Sequence, residues 1–183
     1  YSEDSTGFNA NTCDIDLYIE EQSPDISMGV DQKGTGIIGA GDQGLMFGYA
    51  TNENDNLMPY PILLAHKLTK DLALKRKDGS LPFLMPDGKS QVSIKYEDNK
   101  AKYVDTVLIS TQHSENVDDS TLKESIIEEI LKKQIPYDLI NSKTKFLINP
   151  TGRFVVGGPQ GDTGLTGRKI IVDTYGGWAK HGG

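Results

Sequence analysis

The chain has 183 residues, of which 36% are hydrophobic and 25% charged, enough apolar content for one domain with a core, or one domain with pieces of others. Its formal net charge of −7 argues against sequence-independent nucleic-acid binding, which depends on cations that release phosphate counterions. No apolar run approaches the roughly 20 residues needed to cross a bilayer, residues 1–30 lack a basic-then-apolar secretory pattern, and the single Cys13 excludes an internal disulfide and fits a reducing, cytoplasmic compartment.

In chain order, Ile15, Leu17 and Ile19 alternate with polar neighbours and predict a half-buried strand over 13–20. From Glu21 to Gly44 the chain turns to Gly, Asp, Ser and Gln, a long loop of the kind that serves as a functional lid or is disordered. Leu45–Ala50 reads as a strand. Pro61–Arg76 reads as a helix: Pro61 suits the first turn, Leu64, Leu68 and Leu72 repeat every four residues, and Asp78-Gly79 stops it. Val92, Ile94 and Tyr96 alternate, the chain turns at Glu97–Lys100, and a second strand runs through Ile109, which makes a hairpin. A second helix is expected from Ser120 or Thr121, with Thr121 and Glu124 as a capping box and Leu122, Ile126 and Ile130 on one face. Lys145–Ile148 and Phe154–Val156 read as short strands, and Thr166–Thr174 is ambiguous between helix and strand. This order predicts an α+β fold, a mixed sheet with two helices on one face.

The segment from Gly157 to Lys169 sets low-bulk backbone beside Asp162, Arg168 and Lys169, directly after Arg153 and Phe154. Uncovered amides and basic side chains suit close approach to a polyanion. Glycines at 158, 161, 164 and 167 imitate a collagen period, but it stops after four repeats and runs into Ile170-Ile171-Val172. Gly39-Ala-Gly41-Asp42-Gln43-Gly44 matches the dinucleotide pattern formally, yet lacks the preceding buried strand and following helix. Each of these charged residues has a plainer reading: Lys89 as an exposed charge opening a strand, Arg153 and Arg168-Lys169 as solvated cations, Asp42 as a turn residue. Two adjacent cations after Gly167 nonetheless suit phosphate recognition. His66 reads as a surface residue. His113 and His181 lack partners at metal-ligand spacing, and no Ser-His-Asp or Cys-His arrangement is present.

Five blocks together resemble the S-adenosylmethionine synthetase (methionine adenosyltransferase) family: Gln22-Ser-Pro-Asp25, Gly39 through Thr51, Lys89-Ser-Gln, Ser110-Thr-Gln-His113-Ser, and Asn149-Pro-Thr-Gly-Arg153-Phe154 continuing through Gly161-Asp162 and Arg168-Lys169 to Gly177. The resemblance spans essentially the whole chain. It implies a two-layer α/β repeat and three parts: residues 1–37 as the end of a first domain with its mobile loop, 38–156 as a central domain, and 157–183 as the opening of a third. Two family motifs, a Gly-His-Pro-Asp-Lys segment and a second glycine-rich signature, are expected upstream and downstream. The 183 residues are therefore expected to be a fragment that is inactive alone.

The resemblance further implies attack of methionine sulfur on the 5′-carbon of ATP, release of tripolyphosphate, and its hydrolysis to pyrophosphate and phosphate, with Mg²⁺ and K⁺ required. A thioether is already nucleophilic and needs no general base, consistent with the missing triad. By similarity Lys89, Arg168 and Lys169 contact the phosphates with Asp87 and Gly88 alongside, Arg153 and Phe154 hold the adenosine, Asp162 serves ribose and the methionine ammonium, and Gln22 serves methionine. Asp42 belongs to the site region without an assigned role, no metal ligand falls within these residues, and Ser23–Gly34 is the expected lid. Partners are ATP, L-methionine and further copies of the chain, as a homodimer or dimer of dimers with the site between subunits, and neither nucleic acid nor membrane. A catalytically silent ATP- or polyphosphate-binding module, or a dimerisation domain with structural glycine loops, stays open as an alternative.

Overall fold

The computed structural model describes residues 1–2, 7–31, 34 and 36–183. Its centre is a three-stranded mixed sheet in the order β1 (Leu84–Glu97), β2 (Lys100–His113), β3 (Lys145–Ile148). β1 and β2 are antiparallel and form the predicted hairpin, while β3 pairs with β2 in parallel, Thr106 opposite Lys145 and Ile109 opposite Ile148. The two-residue turn between β1 and β2 puts Asp98 and Asn99 at φ 51° and 58°. That is the left-handed pair of a type I′ turn, which matches the strand twist, and Asp and Asn tolerate it best after glycine.

Two helical segments cover one core. The helix following α1 (Pro24–Val30) is α2, Tyr60–Lys77, which extends the predicted span by one residue at each end and buries Leu64, Leu68 and Leu72. α3 spans Asp119–Ile126 and continues through a π-helical turn, Ile127–Leu131, into the short α4, Lys132–Gln134. The wider turn lies at the core, where the neighbours Ile130 and Leu131 are both buried. These residues meet Val92, Val104, Val107, Ile109 and Ile148 of the sheet in a single cluster. The α+β class with a mixed sheet is thus the observed one.

Several local expectations are corrected. The cap of α3 is Asp118, whose Oδ1 accepts the Thr121 amide at 2.9 Å, so Thr121 is the third helical residue and not the start of a capping box. Residues 13–20, 45–50 and 154–156 form no strand. Ile15, Leu17 and Ile19 are 81%, 77% and 82% exposed and Met46 is 87% exposed, because no neighbouring strand among the described residues pairs with them. The predicted loop at 21–44 contains α1 and an isolated bridge between Asp31 and Ile38. Gln32, Lys33 and Thr35, within that loop and the expected lid, lie outside the described residues. Residues 166–177 run mostly through consecutive turns, neither helix nor strand.

Candidate anion site between the hairpin and the glycine-rich segment

β1 carries Asp87 and Lys89 two residues apart, and both line one hollow. The Asp87 Oδ2 accepts the backbone amide of Gly158 at 2.9 Å, which draws the glycine-rich segment onto the hairpin. The approach is close. A Cβ on Gly157 would stand 2.9 Å from both Gln112 Cδ and Phe154 Cε2 and 3.1 Å from Asp87 Oδ2. Only glycine leaves room there.

Gln112, buried on β2, organises the junction. Its Nε2 donates to the Val155 carbonyl at 2.9 Å, and its Oε1 accepts the Tyr1 hydroxyl at 2.7 Å and faces the Asp87 amide at 3.4 Å. Burial first, and then the Asp87 carboxylate, hold the Tyr1 phenol above its ordinary pKa. Asn149, at φ 41° just past β3, continues the sheet with its side chain: Oδ1 accepts the Thr111 amide at 2.8 Å and Nδ2 donates to the Thr111 carbonyl at 3.0 Å. His113 then receives the returning chain. Its Nδ1 donates to the Ser114 carbonyl at 2.9 Å, which leaves Nε2 to accept the Phe154 amide at 3.1 Å, and the His113 amide donates to the Phe154 carbonyl at 2.9 Å. Gln112, Asn149 and His113 went unrecognised as architects of the site, although all three fall inside the family-like blocks.

The result is a cavity of about 680 Å³ lined by Asp87, Lys89, Asp162 and Lys169 together with Tyr1, Gly158 and their neighbours. Among the described residues, ion pairs involve Lys102, Lys123, Lys132, Lys133 and Arg153, and neither Lys89 nor Lys169 is in one. Two exposed lysines outside these ion pairs thus line one hollow whose walls include Gly158 and Gly164, an arrangement suited to an elongated anion.

The remaining candidates lie elsewhere. Arg168 is exposed and outside the cavity lining, and Gly88 rests on α2, where a Cβ would sit 3.6 Å from Leu72. Arg153 pairs with Glu115 at the mouth of a second hollow of about 350 Å³, lined also by His113 and Asn149. Phe154 is half-buried against Gly157. Gln22 and Asp42 are exposed, and the Asp42 carboxylate accepts the amide of Gln43 at 2.7 Å.

The family model for the S-adenosylmethionine synthetase central domain matches residues 37–154. The chain belongs to the S-adenosylmethionine synthetase family. The model for that family's C-terminal domain matches residues 156–183. Two curated relatives, both called S-adenosylmethionine synthase, align with all 183 residues: that of Helicobacter hepaticus is 58% identical and that of Helicobacter pylori (strain Shi470) 60% identical, the alignment covering 47% of each relative. The chain thus spans about half the length of the S-adenosylmethionine synthases it matches. The seam between the two matched domains, at residue 155, falls in the stretch held by Gln112 and His113.

Proposed function

We propose that the full-length protein is a methionine adenosyltransferase and that these residues supply the phosphate side of its site. The observation that carries the proposal is the convergence of Lys89 and Lys169 on one cavity in a chain of this family. Methionine sulfur donates a lone pair to C5′ of ATP, the S–C5′ bond forms as the C5′–O bond breaks, and the electron pair leaves on tripolyphosphate, which water then cleaves to pyrophosphate and phosphate. No proton need be removed from sulfur. The barrier lies in the charge that accumulates on the leaving chain, and fixed cations lower it by stabilising that charge as it develops.

In this reading Lys89 and Lys169 hold the phosphates, with Arg168 joining them once ligand is bound. Asp87 holds Gly158, and Gly88 stands alongside Lys89. Asp162, on the cavity wall, engages ribose and the methionine ammonium. Arg153 and Phe154 serve the adenosine, Gln22 the methionine, and Asp42 the site's border. Mg²⁺ and K⁺ are the proposed cofactors. Among the described residues no three His, Cys, Asp or Glu stand together as a metal site. Magnesium usually takes one or two carboxylates together with substrate phosphates and water, and none of the residues here is assigned to either cation.

Assembly as a homodimer or dimer of dimers, with the site between subunits, is proposed from the family alone. No helix of the described residues is long and apolar enough to cross a membrane, and we place the protein in the cytoplasm, with no nucleic-acid partner.

The test is S-adenosylmethionine formation by the full-length protein from ATP and methionine with Mg²⁺ and K⁺. Lys169→Met should reduce turnover by about 10²–10³, the effect of removing one preorganised charge-stabilising group. A wild-type protein that binds ATP and forms no product would support the silent-module alternative instead.

A further inference from the structure

The segment that carries Lys169 is seated on α2 by two residues one turn apart, Ile62 and His66. Beyond Lys169 the chain winds through successive turns. The Asp173 amide donates to the Lys169 carbonyl at 2.8 Å, the Thr174 hydroxyl to the Ile170 carbonyl at 2.7 Å, and the Gly176 amide to the Ile171 carbonyl at 3.0 Å. This coil touches α2 at two points. His66 Nε2 lies 3.0 Å from the Val172 carbonyl, and because a carbonyl oxygen only accepts, Nε2 carries the proton and donates. Gly176, at φ 67°, lies so close to Ile62 that a Cβ would stand 2.7 Å from the Ile62 Cβ. Positions i and i+4 share one face of a helix, so both grips act on the same side of α2.

We propose that His66 is a positioning residue, which fixes the turn beginning at Lys169 and so aims that lysine at the anion bound between it and Lys89. The other face of α2 is buried in the core through Leu64, Leu68 and Leu72, so the seat is rigid with respect to β1 and Lys89. The Lys169 segment has no strand or helix of its own to hold it. Its placement depends on such external grips, and misplacing a charge-stabilising group by about 1 Å can cost as much as 10²-fold. This inference rests on the adenosyltransferase reading only for its kinetic readout.

The experiment uses the full-length protein with His66→Ala, His66→Gln and each combined with Lys169→Met. His66→Ala should lower kcat/KM for ATP about tenfold with little change in melting temperature. His66→Gln, whose side-chain amide can again donate to the Val172 carbonyl, should recover most of the loss. In the Lys169→Met background His66→Ala should have no further effect, since the lysine through which it acts is gone. An unchanged kcat/KM in His66→Ala, a Gln variant no better than Ala, or an additive loss in the double variant would each overturn the proposal. If the wild-type protein turns over nothing, the adenosyltransferase reading falls by itself. Tripolyphosphate affinity by calorimetry then decides the role of His66 on the same comparison, a loss in His66→Ala supporting it and an unchanged affinity refuting it.

Discussion

Asp87 on β1 accepts the amide of Gly158, 71 residues further along the chain, at 2.9 Å. This bond joins the central-domain hairpin to the first residues matched to the C-terminal domain. Asp87→Ala should cost about 1–3 kcal/mol, the loss of a hydrogen bond to a charged acceptor. Asp87→Asn retains a carbonyl acceptor and should keep most of that stability. Chemical denaturation of the two variants beside the wild type checks the difference, and equal losses in both would mean that the charge matters and the bond does not.

Gly157 leaves no space for a side chain between Gln112, Phe154 and Asp87. Its φ of −157° is open to any residue, so a substitution acts through crowding alone. Gly157→Ala should destabilise the protein by about 1–3 kcal/mol, as overpacked sites do. Denaturation midpoints read this directly, and a neutral result would show that the glycine-rich segment can move off the hairpin at no cost.

Asp118 begins α3. Hydrogen bonds from the Ser120 hydroxyl, then those from the Thr121 hydroxyl and amide, hold its carboxyl far below the usual carboxylate range. A depressed folded-state pKa gives stability that is present above the unfolded value of about 4 and lost as pH falls below it toward the folded value. The melting temperature of Asp118→Asn should therefore fall short of wild type at neutral pH, and the gap should narrow as pH drops below about 4. A gap independent of pH would assign the loss to packing.

Tyr96 shows the opposite sign. Burial, followed by the hydrogen bond its hydroxyl donates to Glu53, raises its phenol pKa far above the ordinary value, while its ring lies 5.0 Å from that of Trp178. A raised folded-state pKa gives stability that is full below the unfolded value of about 10 and declines as pH rises beyond it. Tyr96→Phe should flatten the alkaline limb of the stability profile while lowering the plateau. A wild-type profile level through pH values above about 10 would contradict this.

The helix α2, the hairpin and β3 were legible because each carries its own periodicity and stop signals: Leu64, Leu68 and Leu72 in one case, Val92 to Tyr96 ending at Asp98-Asn99 in another. The alternation at Ile15, Leu17 and Ile19 is equally regular. It describes a segment fit for a sheet, but alternation cannot supply the neighbour that a strand needs. Asp118 was missed because Thr121 three residues later offers the more familiar cap pattern. At the site, Lys89 and Lys169 carried a signal in residue type and glycine context. Gln112 lay inside the Ser110–Ser114 block, yet its residue type alone did not point to its role, which depends on a hairpin register that sets Gly88 opposite Thr111 and leaves an irregularity between Leu84 and Gly88. Arg168 and Arg153 show the converse: cations in the same glycine-rich context, placed outside the cavity that the lysines share.

Tripolyphosphate affinity in the full-length protein is the most direct measure of whether Lys89 and Lys169 serve one ligand. Calorimetry on Lys89→Met, Lys169→Met and the double variant should show about tenfold or greater weakening in each single variant, with coupling between them because both contact the same chain of phosphates. Wild-type affinity in either single variant would contradict the shared site.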